Sequence, residues 1–85
     1  MNRKQNNTPL ITDLEEDHKL HIMEVFMEQV APKLRRLQAR MGTIGCDFAG
    51  EQYANWAVRF RESGSDFEIV AFEYDEEACG IDLDL

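Results

Sequence analysis

The hydrophobic period of this 85-residue chain changes at Gly42, and this change constrains the fold more than any other sequence feature. Before Gly42, apolar residues recur at alternating intervals of four and three, which is typical of one face of an α-helix. After Gly42, apolar and polar residues alternate, which is typical of β-strands with one covered face. The sequence therefore predicts an α+β fold, in which one long N-terminal helix packs on an antiparallel β-meander of three or four strands.

The predicted domain covers residues 12–85 and follows a flexible N-terminal arm, residues 1–11, which is polar. Thr12 and Glu15 have the spacing of a capping box, so we expect the helix to begin there. Gly42 is suited to the left-handed conformation that ends many helices. The predicted helix of about 29 residues would be about 43 Å long, so we expect part of it to extend beyond the domain.

Six apolar side chains form the predicted core stripe of the helix, with Phe26 beside them: Met23, Met27, Val30, Leu34, Leu37 and Met41. Pro32 lies almost opposite this stripe, where its ring can bend the helix so that it is convex toward solvent, at the cost of one backbone hydrogen bond. No capping residue precedes Pro32 closely enough to start a new helix. We therefore expect one helix, kinked at Pro32, rather than two helices.

Period-two segments at residues 44–49, 55–61 and 67–74 predict three strands, and residues 81–85 are a candidate for a short fourth strand. Gly64 occupies the first central position of a hairpin turn, which suits type II′. That turn places Phe60 opposite Ile69 and Val58 opposite Ala71. A slip by two residues would instead place Phe60 opposite Phe67, with the same faces covered.

The net charge of −8 belongs to the C-terminal part of the chain. Residues 1–61 carry nine basic and eight acidic side chains, whereas residues 62–85 carry nine acidic side chains and no Lys or Arg. The basic side chains cluster in the second half of the helix and the second strand: Lys33, Arg35, Arg36, Arg40, Arg59 and Arg61. We expect these groups to pair with the acidic segment, either within one chain or between two subunits.

The composition excludes several classes of partner. The acidity argues against a general binder of nucleic acid or of an anionic membrane. No apolar run approaches the roughly 18 residues that a membrane-spanning helix needs, and the polar first residues do not have the pattern of a signal peptide. Two cysteines in this context predict reduced thiols, so we expect a cytoplasmic protein.

No motif predicts a cofactor, a metal site or a catalytic group. His18 and His21 could share a metal with Cys46 and Cys79, but these residues come from distant segments without the usual ligand spacing. The acidic residues after Tyr74 lack the ordered spacing of a calcium loop. A single helix on a small sheet rarely encloses a substrate pocket, so we expect a protein that is not an enzyme.

Apolar residues at positions that the predicted packing leaves uncovered indicate an interface. If Phe67 and Ile69 face the helix, strict alternation directs three apolar side chains of the third strand to the opposite face of the sheet. On the helix, three more apolar residues lie far around the axis from the predicted core stripe. The candidate interface residues are Val70, Phe72 and Tyr74 on the sheet and Leu14, Ile22 and Val25 on the helix. The N-terminal arm or the last strand could cover them; otherwise, they form an interface.

These features favour two functions ahead of a third alternative, a small metal-dependent enzyme. The first is a non-enzymatic interaction module that forms a homodimer through the second sheet face and the helix flank. The second is an acidic inhibitor or immunity-type protein, which masks a basic site on a nuclease or toxin with carboxylates from residues 62–84.

Overall fold

The computed structural model describes residues 9–75 and 81–84, and it has an α+β fold with an antiparallel sheet, as the sequence predicts. One continuous helix covers residues 16–37. It consists of α1 (Glu16–Val25), a π-helical turn (Phe26–Val30) and α2 (Ala31–Leu37). Four strands follow: β1 (Met41–Gly45), β2 (Trp56–Ser63), β3 (Asp66–Tyr74) and β4 (Ile81–Asp84). Two short 3₁₀ helices, Cys46–Ala49 and Glu51–Tyr53, connect β1 to β2.

The helix begins three residues later than predicted, because the segment before it is hydrogen-bonded to the region around β2. The backbone N–H of Ile11 donates to the carbonyl oxygen of Gln52 at 2.9 Å, and the indole Nε1 of Trp56 donates to the carbonyl oxygen of Ile11 at 2.8 Å. The predicted capping box is therefore wrong, since Glu15 occupies the N-cap position without a side-chain hydrogen bond. Ile11, the last residue of the predicted N-terminal arm, is thus held by hydrogen bonds to Gln52 and Trp56, whereas residues 1–8 lie outside the described part.

The helix ends at Gln38, not at Gly42. Gln38 has a left-handed conformation, with φ 59° and ψ 35°. Its N–H donates to the carbonyl oxygen of Arg35, and the N–H of Ala39 donates to that of Leu34, which is the hydrogen-bond pattern of a Schellman motif. Ala39 and Leu34 are both buried, so their contact completes the motif. Met41 and Gly42 consequently belong to β1, whereas the sequence placed Met41 on the helix stripe.

The π-helical turn before Pro32 changes which helix residues are buried. The N–H of Ala31 donates to the carbonyl oxygen of Phe26, five residues earlier, so the turn contains one extra residue. Buried positions before and after the turn are therefore separated by five residues instead of the usual three or four. The buried helix residues are Ile22, Phe26, Ala31 and Leu34.

This shift corrects the predicted stripe. Met23 and Met27 would face the sheet on a regular helix, but in the structure they are partly exposed at the side of the helix, and so is Leu37. The prediction of one helix rather than two is confirmed, because the backbone passes Pro32 without a break. Pro32 lacks an N–H, and an irregular turn just before it accommodates the missing hydrogen bond.

The strand order in the sheet is β3-β2-β1-β4, with every neighbouring pair antiparallel. A simple meander would place β4 beside β3, but here it lies beside β1, which gives the order of a Greek key. The hairpin register agrees with the sequence at Phe60 opposite Ile69. The conformation of Gly64, with φ 65°, is that required at the first central position of a type II′ turn.

A β-bulge in β3 changes the second half of that hairpin. Arg59 lies opposite Ala71 and Phe60 lies opposite Ile69, so Val70 is an extra residue. From there the alternation is shifted by one residue, and Val58 lies opposite Phe72 rather than opposite Ala71 as the sequence predicts. Residues of β3 on both sides of the bulge, Ile69 and Phe72, therefore pack against the core between helix and sheet. In this core, the rings of Phe26 and Phe60 lie 5.7 Å apart.

Candidate interaction surface

The sheet face opposite the helix is charged rather than apolar. Arg61 Nε lies 2.7 Å from Glu68 Oε2, and Arg59 Nη2 forms an ion pair with Glu73 Oε2. The stems of both arginines line a shallow groove of about 330 Å³, together with Met41, Thr43 and Val70. An antiparallel sheet tolerates water on one face when that face is polar. This face therefore does not need a covering partner in order to be stable.

The bulge divides the predicted sheet interface between two faces. Val70 is exposed on the charged face, as predicted. Phe72 and Tyr74 are on the helix side, because the alternation shifts at Val70. The Nζ atom of Lys19 lies 5.9 Å above the Phe72 ring, and the Tyr74 ring packs edge-on against Trp56 at 5.2 Å. The prediction that these three residues form one exposed patch on the second face is wrong.

The helix residues of the predicted interface also belong mainly to the core. Ile22 has 0% exposure, so it has no surface to offer a partner. Leu14 is half-buried against the core cluster, and Val25 is half-buried. The sequence prediction missed this because it assumed a regular helix, on which Ile22 lies away from the Met23 stripe. The π-helical turn makes Ile22, not Met23, continuous with Leu34.

The exposed apolar surface lies instead between the helix and β3. Leu20, Met23 and Met27 recur at helical spacing, with 55%, 41% and 37% exposure. Met23 and Met27 line a groove of about 400 Å³, together with part of β3 that includes Ile69. β3 is the edge strand of the sheet and is nine residues long. We call this surface, formed by Leu20, Met23, Met27 and the outer edge of β3, the β3 flank.

A second groove lies at the opposite side of the helix. It has a volume of about 370 Å³ and is mainly apolar, with one basic and one acidic side chain in its lining: Val30, Lys33, Leu34, Leu37, Ile44, Gly45, Asp47, Phe48 and Leu83. Its neighbouring edge strand, β4, has only four residues. Among the described strands, the β3 flank therefore offers the longer sheet edge.

The basic and acidic segments of the chain meet within one molecule. Arg35 Nη1 lies 3.0 Å from Asp66 Oδ1, and the pairs of Arg59 and Arg61 also reach β3. Each of these three ion pairs connects the basic segment to the acidic one. The exposed acidic side chains of the helix, Glu16, Asp17, Glu24 and Glu28, take part in none of these pairs.

The two histidines both lie against a buried tyrosine, Tyr53. His18 Nδ1 lies 3.2 Å from the hydroxyl of Tyr53, and the His21 ring lies 6.1 Å from the Tyr53 ring. His21 Nε2 is 3.3 Å from the carbonyl oxygen of Ala49. Within residues 9–75 and 81–84, no group of three or more His, Cys, Asp or Glu side chains could hold a metal ion.

Cys46, the cysteine that the described residues include, has a buried thiol. Cys46 is fully buried, and burial, together with the negative charge of Asp47, raises the pKa of its thiol to about 12. A thiol in this environment stays protonated and unreactive at neutral pH. Cys79, the other candidate ligand, lies outside the described residues. No described helix is long and apolar enough to cross a membrane.

Comparison with known proteins gives no relative: no family model matches the chain, and neither a curated protein nor a solved structure matches it.

Proposed function

We propose that the protein is a non-enzymatic interaction module whose contact surface is the β3 flank. The observation that carries this proposal is the position of three partly exposed apolar side chains, Leu20, Met23 and Met27, beside a nine-residue edge strand. Exposed apolar surface next to unpaired backbone donors and acceptors is the combination that favours association through an added strand. We propose the cytoplasm as its location.

The experiment compares three forms of the full chain: the wild type, a variant with Met23→Glu and Met27→Glu, and a control with Leu37→Glu. Leu37 is more exposed than either methionine, at 54%, and lies on the other side of the helix. Each form, carrying a tag, is used to capture partners from the native host, and circular dichroism confirms that it is folded. We expect the wild type and the Leu37 variant to retain the same partner, and the methionine variant to lose it. Equal retention by all three forms would contradict the proposal.

A second candidate function, masking of a basic site on a nuclease or toxin, is supported by the exposed acidic side chains of the helix. Glu16, Asp17, Glu24 and Glu28 border the apolar residues of the β3 flank. In contrast, the C-terminal segment uses Asp66, Glu68 and Glu73 for ion pairs within the chain. The masking surface would therefore include the helix, because these three carboxylates are already paired within the chain.

Salt dependence tests this second function. A complex with a basic partner should weaken strongly as the salt concentration rises, because exposed charges are screened over a Debye length of about 8 Å at physiological ionic strength. Glu24→Gln with Glu28→Gln should weaken the same complex, whereas Glu62→Gln should not. A captured complex that is insensitive to salt would exclude this function.

A further inference from the structure

We infer that the partner of the β3 flank is a second copy of this chain, with the two β3 strands paired antiparallel about a twofold axis between Val70 and Ala71. The inference rests on the proposed function, since it names the partner of the same surface. A twofold contact brings the same patch of both subunits together, so the patch must be complementary to itself.

The order of side chains along β3 meets this requirement. Read outward from the midpoint between residues 70 and 71, each half of the strand presents the same chemical classes in the same order. The matching positions are Val70 with Ala71, Ile69 with Phe72, Glu68 with Glu73, and Phe67 with Tyr74. An antiparallel pair about this midpoint places each residue opposite its match in the other copy.

The β-bulge makes this pairing possible. In a regular strand, residues 69 and 72 point to opposite faces, so they could not lie opposite each other in one sheet. The bulge places Val70 and Ala71 on the charged face together. Ile69 and Phe72 consequently share the helix side, as do Phe67 and Tyr74. All four pairs then have both members on one face of the joined sheet.

Apolar contacts would form on the helix side of the joined sheet. Ile69 would lie opposite Phe72 of the second copy, and Phe67 opposite Tyr74, which are favourable cross-strand pairs. Met23 and Met27 line a groove with Phe67 and Ile69, on one side of the twofold axis, and Lys19 lies above Phe72 on the other side. The helix therefore runs alongside β3 past the axis, with its exposed methionines next to the joined edge.

Charge on the opposite face is compensated before the two copies meet. Glu68 would lie opposite Glu73 of the second copy, an arrangement that is unfavourable when both charges are unpaired. Here Arg61 already binds Glu68 and Arg59 already binds Glu73 within each chain. The joined sheet would therefore have an Arg-Glu-Glu-Arg row in which every carboxylate has a guanidinium partner.

The first test is sedimentation velocity of the full chain from low micromolar to millimolar concentration, where we expect a monomer–dimer equilibrium. Val70→Lys places two added cations next to the axis and should raise the dissociation constant about tenfold or more. Met41→Lys is the matched control, because Met41 is on the same face with 48% exposure against 45% for Val70, but two strands away. This control should leave the dissociation constant within about twofold.

The second test measures the arrangement by pulsed electron spin resonance on spin-labelled cysteines, in a Cys79→Ser background. Two copies of residue 66 are nine strand positions apart and two copies of residue 74 are seven apart. At about 3.3 Å for each position, labels at Asp66→Cys and Tyr74→Cys should give distances of about 30 and 23 Å. Dilution with unlabelled chain should remove both distances.

The outcomes separate the two proposals. A chain that stays monomeric at every concentration overturns the inference that the partner is a second copy. This is the result expected if the bulge only protects the edge of β3 from pairing. The proposed function then stands if capture still depends on Met23 and Met27. The β3 pairing is overturned if Val70→Lys and Met41→Lys weaken the dimer equally. It is also overturned if the distance between labels at residue 66 is not longer than the distance between labels at residue 74. If the Met23/Met27 variant captures the same partner as the wild type, the proposed function itself is contradicted.

Discussion

Replacement of Ile22 or of its neighbour Met23 by alanine measures the effect of the π-helical turn directly. On a regular helix Met23 would face the core and Ile22 would not, whereas in the structure Ile22 has 0% exposure and Met23 has 41%. Ile22→Ala removes buried methyl and methylene groups worth about 0.8 kcal/mol each, and the cavity adds to this loss. We expect a reduction of the free energy of unfolding by about 2–5 kcal/mol.

Met23→Ala should cost about 1 kcal/mol or less, because much of the side chain already contacts water and the site can close. A domain of this length has a total stability of roughly 4–13 kcal/mol, so the difference between the two variants is easy to resolve. The assay is urea unfolding followed by circular dichroism, at a concentration where light scattering shows a monomer. Equal losses for the two variants, or a larger loss for Met23→Ala, would refute the shifted register.

Three further predictions concern single residues. Gln38→Gly should stabilise the monomer by about 1 kcal/mol in the same urea assay, because a side chain is unfavourable in the left-handed conformation. A loss of stability would show that contacts of the Gln38 side chain stabilise the fold by more than its backbone conformation destabilises it. Trp56→Phe removes the hydrogen bond to Ile11, so it should lower stability by about 1 kcal/mol and make proteolysis before the helix faster. Cys46 should resist alkylation at neutral pH until the protein is unfolded, as mass spectrometry would show. Because its pKa rises from about 9 to about 12 on folding, the unfolded state loses the proton first, and stability should decline between these pH values relative to Cys46→Ala.

The sequence predicts those parts of the fold that depend on local patterns. The change of period identifies the helix and the antiparallel strands, and the turn at Gly64 determines the register of Phe60 with Ile69. The position of β4 beside β1 could not be predicted from local patterns, because the paired residues Ile44 and Ile81 are far apart in sequence. Alternation shows that a segment is a strand but not which strand it pairs with.

Two single-residue irregularities explain the errors in the candidate site. One extra residue in the helix moved Ile22 into the core and moved Met23 and Met27 to its side. One extra residue in β3 moved Phe72 to the helix side. One extra residue shifts the face of every residue beyond it in the same element, so a single irregularity changes many predicted positions. In the helix, Pro32 was the only sequence signal that could have indicated the irregular turn.

The strand order has a consequence for the rate at which the fold forms. β2 and β3 are joined by a two-residue turn, so their pairing closes a short loop, and isolated hairpins form in about 1–10 μs. Ile44 and Ile81 must instead close a loop of 36 intervening residues before β1 and β4 gain any contact. We therefore expect the hairpin and its ion pairs to form early and β4 to dock late. Substitutions in β2 should slow folding, whereas substitutions in β4 should mainly accelerate unfolding.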